Sequence, residues 1–202
     1  MEYQENRSFI LLYTREVLPT EYPDGLARSI HMAYSRDGIH FEALHQNYGI
    51  LFAEATICAD DTISPKCVKN PWVYELPEGG YGIIAERVNE DGSVDGESDS
   101  KVLFWKTEDF IEFQSFGLVP CSADLLDFRQ DVSQLQGAVL PKGAVEGNVI
   151  EVRRSLCDRI VLHWSRIHNT EVCVPESIWA ASEEELTKVW ATAIYSDGST
   201  SL

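Results

Sequence analysis

A chain of 202 residues, 44% of them hydrophobic, is long enough for one large or two small domains with a proper core. Its 33 acidic against 16 basic residues give a formal charge of −17, so most of the surface repels a phosphate backbone or an anionic membrane. Nucleic acid is thereby argued against as a partner. The longest apolar runs, FILLY and GILFA, are five residues, far below the roughly twenty that span a bilayer.

The N-terminal MEYQENRS is acidic and polar and lacks the basic region and apolar stretch of a secretion signal. As given, the chain reads as cytoplasmic; a signal peptide upstream of Met1 would make it extracellular. Five scattered cysteines, with no CxxC pair and no histidine at zinc-ligand spacing, are expected to be reduced, buried thiols. No metal and no cofactor is implied.

In chain order, FILLYTR (Phe9 to Arg15) is the first expected strand. IHMAYSRDGIHF, residues 30 to 41, then reads as a strand, a Ser-Arg-Asp-Gly turn and an alternating Ile-x-Phe. The whole stretch returns 72 residues later without a gap: FILLYTR overlies YGIIAER (Tyr81 to Arg87), and IHMAYSRDGIHF overlies VLFWKTEDFIEF. The overlay pairs Ser35 with Thr107, Asp37 with Asp109, Ile39 with Ile111 and Phe41 with Phe113. A hydroxyl and a carboxylate recur where a hairpin must be tied, because short polar side chains bond nearby backbone amides. The second copy begins with one more strand, NPWVYEL (Asn70 to Leu76), and so reads as a four-stranded antiparallel meander of the kind that repeats radially in propellers. The matching strand of the first copy would fall before Met1, so a later strand must close that sheet or its start has been lost.

After residue 122 the glycines Gly137, Gly143 and Gly147 and Pro141 break up short apolar pieces, which reads as a connector. SLCDRIVLHWSRI then opens on a Ser155-x-x-Asp158 capping box and places Leu156, Ile160, Trp164 and Ile167 on one helical face. A short strand EVCV follows, then a second capping box at Ser182-x-x-Glu185 and the hairpin signal Asp197-Gly198, with few residues left for its return strand. The expected fold is therefore mainly β. Residues 1–122 form two β-propeller-like blades of antiparallel strands, 123–168 a connector with a helix near 156–167, and 169–202 an incomplete β-sandwich-like tail.

SIHMAYSRDGIHFEALHQNYGILFA, KNPWVYELPEGGYGIIAERV and KVLFWKTEDFIEFQSFGLV together resemble the opening blades of the five-bladed propeller enzymes of glycoside hydrolase family 43, the arabinofuranosidase and xylosidase group. The resemblance covers roughly residues 9 to 119. The tail VWATAIYSDGST is similar to a bacterial immunoglobulin-like module of the sort appended to such enzymes, here truncated. The resemblance implies hydrolysis by inversion of an arabinose- or xylose-containing polysaccharide. That chemistry needs two carboxyls about 6.5 to 9.5 Å apart with a water between them, and a third that tunes the acid. The chain departs from the pattern at the tuning carboxylate, because the Arg-Asp-Pro of the family is Lys69-Asn70-Pro71 here and an amide cannot ionise. The resemblance therefore places no catalytic residue. It implies a chain inactive by itself, a part of a larger protein with further domains, or alternatively a noncatalytic carbohydrate-binding or spacer module.

Candidate carbohydrate-binding residues are Asn70, Trp72, Glu86, Arg87 and Trp105. Glu86 and Arg87 end an apolar strand, where they can grip vicinal hydroxyls or form an ion pair that supports a blade. Trp72 and Trp105 can stack on a sugar face or fill the core. DGSVDGESDS matches a calcium loop at Asp91, Ser93, Asp95 and Asp99 but has Val102 where a bidentate Glu belongs, and reads as a solvated acidic turn. His31, His40 and His163 have no nucleophile motif nearby and read as structural or exposed.

Overall fold

The structure, a computed structural model, describes residues 6–18, 24–121, 135, 137–165, 167–173, 190–195 and 200–201. It is mainly β and divides into two compact units, residues 1–163 and 164–202. Unit 1 holds two four-stranded antiparallel sheets. Blade 2 is the consecutive meander β6 (Lys66–Glu75), β7 (Tyr81–Asn89), β8 (Lys101–Thr107) and β9 (Gln114–Pro120). Blade 1 has β1 (Arg7–Arg15), β2 (His31–Ser35) and β3 (Glu42–Ala43) in sequence order, and its fourth strand is β10 (Ala144–Arg153), which lies against β1. A short helix α1 (Asp24–Ala27) and the small hairpin β4 (Thr56–Ile57)–β5 (Ile63–Ser64) lie in the connections.

The 72-residue offset holds pair by pair. In blade 1, Phe9 faces Ser35, Leu11 faces Ala33 and Tyr13 faces His31; in blade 2, Tyr81 faces Thr107, Ile83 faces Trp105 and Ala85 faces Leu103. The next ladder follows suit, with Ala33 opposite Ala43 and Trp105 opposite Ser115. The turns are tied alike. Ser35 Oγ accepts the amides of Asp37 and Gly38, and Asp37 Oδ1 accepts those of Ile39 and His40. Thr107 Oγ1 accepts the amides of Asp109 and Phe110, and Asp109 Oδ1 those of Ile111 and Glu112. The imidazole of His40, 2.7 Å from Asp37, and the two amides hold that carboxyl well below the usual carboxylate range.

One position is filled differently. Gly38 and Phe110 both have a left-handed backbone, φ +76° and +59°. At Gly38 a Cβ would sit 3.1 Å from the Phe9 ring. In blade 2 the equivalent of Phe9 is Tyr81, and its ring lies 4.6 Å from that of Phe110, which is fully buried. Burying an aromatic offsets the strain of a bulky residue at positive φ, which is otherwise an outlier. Because the ties match, Ser35→Ala and Thr107→Val should each lower stability by about 1 kcal/mol. Equal shifts in the urea midpoint of the two variants are the expected result; a loss in only one would mean that the turns are not equivalent.

The connector reading is corrected over its second half. Ala144–Arg153 is a ten-residue strand that supplies the fourth strand of blade 1, paired with β1. It pairs Ile10 with Ile150 and Leu12 with Asn148, just as β6 pairs Gly82 with Tyr74 and Ile84 with Trp72. NVIE (148–151) thus stands where WVYE (72–75) stands in blade 2. The reason is the edge of β1, whose unpaired amides and carbonyls would otherwise be a liability.

Each sheet has two faces. In blade 1, Leu11, Tyr13, Ala33 and Phe41 form one buried cluster, against which Leu135, Ala138, Leu140 and Ala144 pack. The opposite face, with Ile10, Leu12, Met32 and Tyr34, is 0 to 4% exposed. Asn148 on that face donates from Nδ2 to Val73 O at 2.9 Å and accepts the Val73 amide at 2.7 Å, holding β10 beside β6.

Helix α2 runs Arg154–Trp164, so Ser155 lies one residue inside it rather than at its cap. Its buried residues are Cys157, Ile160 and Val161, with Leu156 and Trp164 only partly covered, so the packed stripe is rotated from the expected Leu156–Ile160–Trp164 line. The Cys157 thiol lies against Ser8 of β1, and burial pushes it up. Cys67 is buried too, whereas Cys58 and Cys121 are only partly so, which corrects the expectation of uniformly buried thiols. Among the described residues no helix is long and apolar enough to cross a membrane.

Unit 2 is a three-stranded antiparallel sheet, β11 (Ile167–Cys173), β12 (Trp190–Tyr195) and β13 (Thr200–Ser201). The pairs Ala193–Ser201 and Ile194–Thr200 flank the Asp197-Gly198 signal, which itself lies outside the described residues, as does the Ser182-x-x-Glu185 box.

Candidate functional site at the rim of the inner strands

β6 and β10 lie side by side, and both are irregular near the same end. β6 shifts register between Lys69 and Trp72, where Asn70 adopts φ +48°, and β1 against β10 shifts between Thr14 and Arg15. Asparagine tolerates the left-handed region better than most residues. Asn70 is 7% exposed, and its amide donates to Glu146 Oε2 at 3.1 Å. The same oxygen accepts from Thr14 Oγ1 at 3.2 Å, and Lys69 Nζ lies 3.8 Å from Glu146 Oε1. Glu146, with a quarter of its side chain exposed, is therefore a carboxylate oriented from three directions at the junction of the two blades. Its ladder partner Thr14 is the equivalent of Glu86, which pairs with Lys69, so Glu146 stands in blade 1 where Lys69 stands in blade 2, next to the bulge that holds Asn70. Sequence reading missed Glu146, and the likeness of the following NVIE to WVYE was the nearest signal.

A polar group lies beside it in blade 1. Tyr13 Oη donates to Asn47 Oδ1 at 2.6 Å, Asn47 Nδ2 donates to Lys142 O, and Arg15 donates to Asn47 O at 3.1 Å. His45, Gln46 and Asn47 all have φ between +50° and +61°. Backbone of this kind costs on the order of 1 kcal/mol or more per residue and is held only where surrounding bonds fix it. His31, fully buried with its ring 5.5 Å from that of Tyr13, is pushed down to about 4, first by burial, then by the charges of Arg15 and His45 against the Ser29 and Tyr13 carbonyls.

The five candidates do not converge. Asn70 and Trp72 are at the rim, and Trp72 is partly exposed on the outer face of blade 2. Glu86 is partly exposed opposite Lys69. Arg87 faces away from the rim: its guanidinium pairs with Asp95 at 3.1 Å and Glu97 at 3.1 Å and bonds Thr56 Oγ1, with only a tenth of its side chain exposed. It ties the β4–β5 hairpin to the acidic loop. Trp105 is 3% exposed within the blade 2 core, which leaves no ring face for a ligand. The acidic loop is also not simply solvated, because Asp95 is buried between Lys66 and Arg87. Those cations and the Ser98 hydroxyl outweigh desolvation and lower its carboxyl. Among the described residues no group of three or more His, Cys, Asp or Glu converges as metal ligands.

A cleft of about 610 Å³ lies at the other end of β6 and β10, lined by Glu75, Leu76, Glu151 and Arg153. None of the five candidates lines it. No family model matches the chain, and no curated protein or solved structure matches it.

Proposed function

We propose that this chain is the sugar-gripping part of a family 43-like glycoside hydrolase acting on arabinose- or xylose-containing polysaccharide, and that it does not turn over substrate by itself. The observation that carries the reading is the Glu146 carboxylate, fixed by Thr14, the Asn70 amide and Lys69 where the two inner strands meet. A carboxylate already held by donors is suited to accept sugar hydroxyls, and Trp72, two residues along β6 from Asn70, offers a ring for the apolar face of a pyranose or furanose. Inversion needs a second carboxyl at the right distance, and Asn70, whose backbone amide bonds Glu146, carries an amide side chain instead. That amide favours the second reading, a noncatalytic carbohydrate-binding or spacer module of a larger carbohydrate-active protein.

Titration calorimetry should detect arabinobiose or xylobiose, and Glu146→Gln should weaken that binding about tenfold, the effect of a lost charged hydrogen bond. Nitrophenyl arabinofuranosides and xylosides should not be hydrolysed, and Asn70→Asp should not create activity. Clear turnover by the wild-type chain, lost in a single carboxylate variant, would refute the inactive reading. Sugar binding unaffected by Glu146→Gln would refute the rim.

A further inference from the structure

The residue-by-residue equivalence of the blades shows what the outer face of blade 2 is not. In blade 1 this face consists of Ile10, Leu12, Met32 and Ile150, with Asn148 bonded to the backbone of β6. In blade 2 the same positions carry Gly82, Ile84, Phe104, Tyr74 and Trp72. Met32 and Ile150 have become the rings of Phe104 and Tyr74, Ile10 has become a glycine that makes room for Tyr74, and the asparagine that caps a neighbouring strand has become a tryptophan. A further sheet docked here would leave that neighbour's backbone groups unpaired, at a cost. Tyr74 occupies the space above Gly82, where a Cβ would be 2.5 Å from its ring. Phe104 and Phe116 stack at 5.2 Å and 28°, with Lys106 Nζ 5.9 Å over both and held by Glu78 at 2.9 Å. Phe116 is 44% exposed, and Trp72, Tyr74 and Phe104 are partly so. Trp72 and Phe104 flank Ile84 two strands apart, about 10 Å across the sheet.

We propose that this face is a platform for an extended neutral polysaccharide chain, which crosses the rings of Trp72, Tyr74, Phe104 and Phe116 and continues towards the rim at Asn70 and Glu146. Flat rings stack on the apolar faces of successive sugars, and a neutral glycan is not repelled by a chain of charge −17. The proposal rests on the carbohydrate reading above, but it concerns polymer rather than short sugars, so the two can fail separately.

The test is native affinity electrophoresis of the full chain in gels with and without soluble arabinoxylan, alongside calorimetry with xylobiose. Retardation by the polymer, weakened about tenfold in Phe116→Ala and Phe104→Ala, with xylobiose binding intact, is the expected result. Ile57→Ser, at an exposed isoleucine of the β4–β5 hairpin, should leave both unchanged. Polymer retardation indifferent to the two phenylalanine variants would overturn the platform while leaving the rim reading standing. Retardation that depends on Phe116 with no xylobiose binding would uphold the platform and defeat the rim. No retardation at all overturns the platform, as does a concentration-dependent dimer in sedimentation that Phe116→Ala abolishes, since the face would then be a protein interface.

Discussion

Gly147→Val should leave blade 1 without its inner strand. Gly147 has φ +147°, and a Cβ there would be 1.9 Å from the Leu12 carbonyl oxygen and 2.8 Å from Tyr13 Cα. Both are backbone atoms in the strand it pairs with, so no side chain can move aside. Relief requires separating β10 from β1, which exposes the ladder from Arg7 to Arg15 and frees Asn148 from Val73. The cost exceeds about 4 kcal/mol, in the range reserved for broken backbone geometry or buried networks. The variant should be largely unfolded, or soluble with a sharply lower melting temperature. A valine variant within about 1 kcal/mol of the wild type in urea unfolding would mean that β10 does not sit in this register.

Lowering the pH from 7 to 4.5 should cost the protein on the order of 2 kcal/mol through His31 alone. The ring is buried, so its folded form takes a proton only at about 4, whereas the unfolded chain takes one at about 6.5. Between those values the unfolded state binds more protons, and stability therefore falls as pH falls through this window. Arg15 and His45 add to the penalty by repelling a second positive charge. His31→Gln keeps a polar side chain that does not titrate, so the loss between pH 7 and 4.5 should shrink by that amount in urea titrations. Equal pH dependence in wild type and variant would show that His31 titrates normally and is not enclosed.

The repeat was legible because its signals are local. Ser35 with Asp37 and Thr107 with Asp109 bond amides within three residues, and the flanking apolar residues alternate, so register followed from short windows. β10 was not legible, because its partners lie more than a hundred residues earlier and Gly147, read as a breaker, is accommodated beside a bulge. The helix was visible from its spacing, but the stripe set by Leu156 overlooked Cys157, which packs as a small apolar group. Asn70 stood out in the sequence, while Glu146 became meaningful only once β10 took the place of β6 in the other blade. Arg87 looked like a rim residue because Arg15 shares its position, yet the acidic loop of blade 2 turns it into a structural cation.

Everything above depends on β10 completing a sheet that copies blade 2, and cross-strand NOEs in the isotope-labelled full chain test this directly. Contacts linking Ile10 with Ile150 and Leu12 with Asn148 are predicted, together with matching sets for Leu11–Ala33 and Ile83–Trp105. Residues 144–153 paired with some other segment, or the two hairpins in registers that differ by even one residue, would contradict the account.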